Sequence, residues 1–415
     1  MASPSNLREL RYLSGTTFNS CDDLEVASHA SWAAGTATKL GITAYSESLE
    51  HEAVDDPEMQ TDVRAHPGVI PTIKSGSFDF SIHAGCAESD EAANPEATLL
   101  SKVLGGIDSP AARTYAASGS HTTTTVQATN INNETAGALI VIGARGDGRG
   151  NGEARIVTAV AANQLTFIPA VSAAPEDDDQ VLILTTVYYD EDADQQYLDF
   201  LSIGHATADQ KQMAGCVATK AELTGSTPGE VPQFSFSMTP GDWQYVPSGE
   251  RDQLEPGTAP SRNDPPVDRG LGGFFMGNWG ASPRTAFDGS GPTVPNLAPN
   301  MASVPSQNGV NGMGGWCKVP AGDGFTATFS LLYDEDMLSL YDDDFVGQTW
   351  KYLIMQFGHS AEGVFVVAFP KCKIVGKPRP TELNGLSAVE ITVRADWHLT
   401  GSTDLQQSPI LLGWG

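Results

Sequence analysis

Short segments in which apolar and polar residues alternate recur along the chain. The clearest is GSFDFSIH, where aromatic or aliphatic side chains at every second position are separated by small polar ones. A period of two predicts β-strands with one buried and one solvated face, as in an antiparallel sheet. The same pattern appears in VPQFSFSM, GFTATFSLLYD and VEITVRADW. The sequence therefore predicts a mainly β fold.

These four strands divide their side chains into two sets. The set expected to face the core consists of Phe78, Phe80, Phe234, Phe236, Phe325, Phe329, Val389 and Ile391. The set expected on the opposite, solvated face consists of Ser77, Asp79, Ser81, Ser235, Ser237, Thr326, Thr328, Ser330, Glu390 and Thr392. The second set is hydroxylated or acidic, with Arg394 in the last strand as the exception.

Helical patterns are rare. The segment PEATLLSKVLGG (residues 95–106) begins with Pro, carries Leu99, Leu100, Val103 and Leu104 at helical spacing, and ends in Gly-Gly. These start and stop signals predict one helix. An acidic stretch, DEDMLSLYDDDFVGQTW, predicts a second short helix at the corresponding place in the C-terminal half.

Two segments, residues 203–243 and 357–397, repeat the same order of features. Each has Gly-His, then Cys, then Gly, then an alternating strand, then Asp-Trp. The matched positions are Cys216 with Cys372, Gly229 with Gly385, and Trp243 with Trp397, and Cys and Gly are 13 residues apart in both copies. Such a repeat predicts one β unit used twice, which favours an assembly or scaffold role.

The composition shifts along the chain predict five regions. Residues 1–40 are expected to form an N-terminal arm with little core of its own, and residues 246–316, rich in Pro and Gly, a long loop. That loop contains Phe274, Phe275, Met276 and Trp279, so it is expected to lie on a neighbouring subunit. The other regions are a discontinuous first unit, residues 41–115 and 188–245, a small inserted β domain, residues 116–187, and a second unit, residues 317–415.

Charge and cysteine content exclude several classes of function. The 415 residues include 51 acidic and 23 basic ones, a net charge of −28, which argues against gripping nucleic acid. No apolar run is long enough to span a membrane, and MASPSNLREL lacks the apolar segment of an export signal. The five cysteines are odd in number and form no CxxC, which favours buried thiols in a reducing compartment.

No motif in the chain predicts catalysis. Asp190, Asp192 and Asp194 are spaced as in a calcium loop, but Gln195 and Leu201 replace the Gly and Glu that such a loop requires. His205 and His359 recur in both copies of the repeat, which favours a structural role for them. We therefore predict no enzyme activity and no catalytic, cofactor-binding or metal-binding residues.

The N-terminal half resembles a known family. The run SWAAGTATKLGITAYSESLEHEAVDD, an Arg at position 64, and GSF before the helical LLSKVLGG are similar to the major tail proteins, or tail tube proteins, of phages with long non-contractile tails. GCVATKAELTGSTPGEVPQFSFSM and the ending QQSPILLGWG are similar to the same family. The resemblance covers residues 30–115 and 190–245 well and 317–415 moderately; the insert and the long loop depart from it.

The resemblance implies two tandem tail-tube-type β-sandwich or half-barrel domains, each with one flanking helix. Such domains assemble into stacked rings that form a hollow, negatively lined tube, and phage DNA passes through it without specific binding. A chain with two domains would form a homotrimeric, pseudo-hexameric ring, with the ten polar residues above lining the lumen. The implied partners are other copies of the chain and the tape measure, tail terminator and tail-tip proteins. The implied location is the virion tail, assembled in the host bacterial cytoplasm, with no cofactor and no membrane.

Two alternatives remain open from the residues. One is a β-sandwich binding or adhesion module on a virion or cell surface that recognises a glycan or receptor. Its best support is the tripeptide Arg145-Gly146-Asp147 in the insert, although a flexible turn at a Gly-rich hairpin tip is the simpler explanation of that tripeptide. The other is an enzyme with an unrecognised site. The sequence therefore supports a tail tube protein first and a binding module second.

Overall fold

The computed structural model describes most of the chain, with gaps. The described residues are 9–15, 38–55, 69–84, 95–112, 114–143, 152–194, 196–204, 210–224, 232–246, 271–278, 285–286, 293–298, 301–305, 313–318, 324–332, 345–358, 364–397 and 402–415. They form a mainly β structure in which every strand pairing is antiparallel, as the alternating sequence predicts.

The N-terminal strands of this part are β1 (Glu9–Gly15), β2 (Thr38–Leu40), β3 (Ile42–Asp55), β4 (Val69–His83), β5 (Gly105–Asp108), β6 (Thr114–Ala116), β7 (Thr125–Gln127), β8 (Leu139–Ile142), β9 (Glu153–Ala161), β10 (Gln164–Ile168), β11 (Gln180–Ile183), β12 (Thr185–Tyr189), β13 (Tyr197–Ile203), β14 (Gln210–Thr224), β15 (Gln233–Thr239) and β16 (Asp242–Tyr245). The C-terminal strands are β17 (Leu271–Asn278), β18 (Thr285–Ala286), β19 (Thr293–Val294), β20 (Met301–Pro305), β21 (Met313–Lys318), β22 (Thr326–Leu332), β23 (Lys351–Phe357), β24 (Phe365–Ile374), β25 (Arg379–Leu383), β26 (Leu386–Ala395) and β27 (Leu411–Trp414). The α-helices are α1 (Pro95–Leu104) and α2 (Asp404–Gln407), and Ile131–Asn133 forms one 3-10 turn.

Helix α1 confirms the helix predicted from PEATLLSKVLGG. Its Leu99, Leu100 and Leu104 are fully buried in the main core, so the apolar stripe faces inward. The Tyr12 hydroxyl donates to the carbonyl of Pro95 at 3.2 Å and ties β1 to the start of the helix. No helix in the described part of the chain is both long enough and apolar enough to cross a membrane.

Eight strands form what we call the front sheet. Their order across the sheet is β3, β4, β15, β14, β19, β22, β26 and β25. One face of this sheet is apolar and buried. Seven of the eight predicted core residues are 9 % exposed or less, and Val389 is half-buried. The alternating pattern therefore predicted the buried face well.

The back sheet covers the apolar face of the front sheet. It consists of β2, β1, β13, the first half of β14 and β16, and of β17, β23, β24, β27, β12 and β5. Aromatic side chains meet across the core, with ring centroids 5.2 Å apart for Phe78 and Phe200 and 5.6 Å for Phe234 and Phe365. Such edge-to-face pairs add to the stabilisation from burial. The two sheets form a sandwich.

Strand β14 belongs to both sheets. Its first residues pair with β13 and β16, and its residues from Val217 onward pair with β15 and β19. The strand bends at Gly215, whose φ of 60° is readily adopted only without a Cβ, and the Gly215 amide donates to the buried Asp199 carboxylate at 2.8 Å. This residue marks where β14 passes from the back sheet to the front sheet.

A separate six-stranded sheet lies in residues 114–183. Its order is β6, β11, β8, β9, β10 and β7, and a bridge between Ala117 and Ala128 joins its two ends, so the sheet closes on itself. Val126, Leu165 and Phe167 are among the buried residues of its own core. A small β domain was predicted for residues 116–187, and the described residues of this region form a closed barrel of six short strands.

This small barrel packs on the outer face of the back sheet. Along β23, Leu353 and Met355 point into the sandwich core, whereas Tyr352 and Ile354 pack against the barrel. The buried Gln356 accepts from the Ala154 amide at 2.9 Å and donates to the Gly152 carbonyl at 2.8 Å. The molecule thus has three layers, with the barrel on the side opposite to the front sheet's exposed face.

Two regional predictions differ from the structure. Residues 9–15 of the expected arm form β1, which pairs with β13 and β2 and buries Leu10 and Tyr12 in the core. The expected loop contains strands β17 to β20 and the start of β21, and β17 pairs with β23 of the same chain. In both cases the backbone N–H and C=O groups pair with a strand that is distant in sequence. A local pattern of residues does not reveal such a partner.

We expect Phe236→Ala to lower the free energy of unfolding by about 3–5 kcal/mol, because it removes a buried ring and leaves a cavity. Ser237→Ala, one residue away on the polar face, is expected to change that energy by no more than about 0.5 kcal/mol. Urea denaturation at equal protein concentration would compare the two variants with the unmodified protein. Equal effects would contradict the assignment of the two faces.

Candidate functional site

The exposed face of the front sheet is an organised polar surface in the described part of the chain. We call it the polar face and define it by the ten residues predicted from sequence: Ser77, Asp79, Ser81, Ser235, Ser237, Thr326, Thr328, Ser330, Glu390 and Thr392. Asp79 is exposed and the other nine are half-buried. The structure brings all ten to one side of one sheet, although they come from opposite halves of the chain.

In the first half, hydroxyl groups form rows across β3, β4 and β15. Ser81 lies opposite Ser235, and their hydroxyl oxygens are 3.0 Å apart. The Ser46 hydroxyl donates to the Asp79 carboxylate at 3.3 Å, and Asp79 in turn lies opposite Ser237. These cross-strand contacts fix the register of the polar side chains on this face.

In the second half, β22 and β26 repeat this arrangement. Thr328 lies opposite Thr392 with hydroxyl oxygens 3.1 Å apart, and Ser330 lies opposite Glu390. Next to the start of β22, the Asn296 side-chain amide donates a hydrogen bond to the Gly324 carbonyl at 2.5 Å. The second half therefore presents the same kind of surface as the first.

The two halves are joined through β19, and a row of threonines crosses the polar face at this junction. Thr224 of β14 lies opposite Thr293 of β19, which lies opposite Thr328 of β22 and through it Thr392 of β26. Strand β19 is only two residues long, yet it makes one continuous sheet from two groups of strands. Sequence reasoning missed Thr293, because a two-residue strand carries no alternating pattern.

The polar face carries charges of both signs. Besides Asp79, Glu390 and Arg394, the strand register places Lys220, Glu222 and Arg379 on it, and Lys220 and Glu222 form an ion pair at 2.7 Å. Arg394 is the exception within the four strands recognised from sequence, and the neighbouring strands β14 and β25 add two further basic side chains, Lys220 and Arg379, to the face. These residues could not be predicted from sequence, because they reach the polar face only through the pairing of β14 with β15 and of β25 with β26.

The two cysteine-containing strands occupy similar places. Cys216 lies opposite Leu198 and Cys372 opposite Lys351, and in both pairs the partner strand has a bulge immediately after that position. Both thiols are fully buried. Burial raises the pKa of the Cys372 thiol to about 12, so this group is a core side chain and no nucleophile near neutral pH.

The two Asp-Trp pairs also share one geometry. The Asp242 carboxylate accepts from the Trp243 amide at 2.8 Å, and the Asp396 carboxylate accepts from the Trp397 amide at 2.9 Å. Each such turn follows the strand that pairs with the cysteine-containing strand. In both halves this local hydrogen bond fixes the backbone at the same place, just after a strand.

Several predicted features lie outside the described residues. They include His205, His359, Gly229, Arg145–Asp147 and most of the acidic segment before Trp350. In the acidic turn at 190–194, the Asp190 carboxylate accepts from the Asp192 amide at 3.0 Å. The described part of the chain contains no group of three or more His, Cys, Asp or Glu side chains placed to hold a metal ion.

No protein-family model matches this chain, and no curated protein is significantly similar to it in sequence.

The burial of Cys372 has a testable consequence. Because the thiol is fully buried and burial raises its pKa, we expect no labelling of its peptide by iodoacetamide at pH 8 in the folded protein. Peptide mass spectrometry after brief labelling, with and without urea, would measure this. Rapid labelling without urea would contradict the placement of this strand in the core.

Proposed function

We propose that this protein is a phage tail tube protein that assembles into stacked rings and forms a conduit for DNA. The observation that supports this most strongly is the single polar face, which runs across eight strands drawn from both halves of the chain. The apolar side of the same strands is buried, and the small barrel lies beyond the back sheet. The polar face is thus the side left open to water, as a lumen wall has to be.

The repeated pairings support the interpretation of two tandem tail-tube-type half-barrel units. In the first half β4 pairs with β15, β15 with β14 and β14 with β13, and in the second half β22 pairs with β26, β26 with β24 and β24 with β23. Under this proposal residues 114–183 are an inserted domain on the outer surface. Each chain then supplies two sectors of a ring, and three chains form a pseudo-hexamer.

The strand count gives a plausible size for such a ring. Three copies of the eight front-sheet strands would make a 24-stranded barrel. At about 4.8 Å between strands its circumference is roughly 115 Å and its diameter about 37 Å, before strand tilt widens it. A wall of this diameter leaves room for a DNA duplex, whereas a ring of one or two copies would be much narrower.

The chemistry of the polar face suits passage without specific binding. Its side chains are mostly hydroxyls, which keep the wall hydrated, and its cations are too few for a continuous basic track along phosphates. We therefore propose a hydrated lumen wall of mixed charge in place of the negatively lined conduit expected from the sequence. The tape measure, tail terminator and tail-tip proteins are the proposed partners, and the virion tail the proposed location.

Electron microscopy of the purified chain tests the proposal. We expect rings or tubes with a central hole and three chains per ring, with mass photometry giving three times the mass of the 43.8 kDa chain. Monomers that do not assemble at any protein concentration, and that bind a glycan instead, would overturn the proposal in favour of the binding module.

Charge reversal on the polar face tests the lumen assignment separately. We expect Asp79→Lys combined with Glu390→Lys to leave tube formation intact but to lower DNA delivery, because the added cations attract the phosphates that have to slide past. Infectious titre of tails carrying the variant, at equal tail number, measures delivery. Asp79→Asn with Glu390→Gln is the matched control, and an unchanged titre for the reversed variant would remove these residues from the lumen.

A further inference from the structure

Basic residues are concentrated in one short segment of this acidic chain. Residues 371–379 contain four basic side chains, Lys371, Lys373, Lys377 and Arg379, and no acidic one, whereas the whole chain has 51 acidic and 23 basic residues. The segment covers the end of β24 and leads into β25. A local excess of positive charge in a chain of net charge −28 points to an anionic partner, unless the fold itself neutralises it.

Two of these lysines lie on the polar side of the front sheet. Cys372 and Ile374 are buried in the core. Lys371 and Lys373 alternate with them along β24, so their side chains lie on the opposite side of the strand. Lys373 also lies directly opposite Arg394, which is exposed on the polar face. The end of β24 therefore adds two cations beside Arg394.

The indole ring of Trp350 holds both lysines in place. The Nζ atom of Lys373 lies 3.9 Å from the ring centroid, and that of Lys371 lies 4.3 Å from it. Each contact is a cation–π interaction, which fixes the position of an ammonium group but leaves its charge unchanged. We call Trp350, Lys371, Lys373 and Arg394 the basic cluster.

Carboxylates compensate only a small part of the charge of this cluster. Asp396 lies 3.7 Å from the Nζ atom of Lys371, but its side chain is 47 % exposed, so water weakens the attraction. In the described ranges of the chain, no carboxylate lies at ion-pairing distance from Lys373 or Arg394. Like charges opposite each other on paired strands destabilise a sheet, so an external anion would stabilise this arrangement.

The spacing of the cations suits a chain of anions better than one small anion. Lys371 and Lys373 are two residues apart on an extended strand, which separates their Cα atoms by about 7 Å. Arg394 follows on the neighbouring strand, about 5 Å from Lys373 between Cα atoms. These three side chains form an open row on the surface of a sheet, so a polymer with regularly spaced charges can contact all of them.

We propose that the basic cluster contacts the phosphate backbone of duplex DNA. The choice of DNA rests on the proposed function, in which a duplex moves along the polar face. Lys and Arg contacts to phosphates carry no sequence information, so any genome sequence can be accommodated. Three cations hold a duplex only weakly, and the acidic excess of the chain opposes tighter binding. Each chain of a ring supplies one such contact, which touches the passing DNA without retaining it.

Substitution of the cations tests the contact. The full-length chain is expected to bind a fluorescently labelled DNA duplex weakly at low salt, as measured by fluorescence anisotropy. Lys373→Gln combined with Arg394→Gln is expected to weaken this binding at least roughly fivefold and to reduce the logarithmic salt slope by about two. Lys220→Gln is the matched control, because Lys220 lies on the same face but is paired with Glu222 at 2.7 Å.

Trp350 is a positioning residue in this proposal, and its role has a separate test. Trp350→Leu is expected to weaken DNA binding, because the lysines lose the ring that fixes them, whereas Trp350→Phe keeps an aromatic face and is expected to retain more of it. Circular dichroism and the melting temperature show whether each variant is folded. If Trp350→Leu does not fold, the Lys373 and Arg394 substitutions decide the question.

The possible results separate this inference from the proposed function. Absence of DNA binding, or an equal loss for Lys220→Gln and for the double variant, would overturn the inference and leave ring formation as a test of the proposed function. Equal competition by polyglutamate of matched charge would overturn the choice of phosphate in favour of an acidic protein. Binding that depends on Lys373 and Arg394 in a chain that forms no rings would support the DNA contact and overturn the tail tube proposal.

Discussion

The front sheet has to bury one face and keep the other in water, and the rest of the fold follows from this division. Phe78, Phe80, Phe234 and Phe236 place four aromatic rings on one side of two neighbouring strands. That apolar surface requires a cover, which the back sheet and helix α1 provide. The opposite side keeps its serines and threonines hydrated because no described element packs on it.

The part of the back sheet formed by β23 and β24 has two apolar faces, and both need to be buried. Strands β23 and β24 send alternate side chains into the sandwich core and toward the small barrel, and Val366 and Ala368 are as buried as Phe365 and Val367. A strand buried on both faces reads as a continuous apolar run. The small barrel is therefore part of the packed structure, and it lies on the side of the back sheet away from the polar face.

The residues that recur in both halves hold strands together at the point where the two sheets meet. Cys216 and Cys372 are buried in strands that pair with both sheets, and each Asp-Trp pair closes the turn beside them. Since their burial and hydrogen bonds explain their recurrence, they require no chemical role.

Local pattern by itself determined the mainly β class, the helix at Pro95–Leu104, the buried aromatic positions and the ten residues of the polar face, because a period of two or 3.6 is written into neighbouring residues. Only the tertiary structure decided that the four predicted strands share one sheet, since Thr224, Thr293 and Thr328 are joined by backbone pairing between distant segments. The same holds for β1 and β17, whose hydrogen-bond partners lie far along the chain. The tertiary structure also decided which charges lie on the polar face. Lys220 and Arg379 are placed there by the pairing of their strands with β15 and β26, and no local sequence pattern predicts this position.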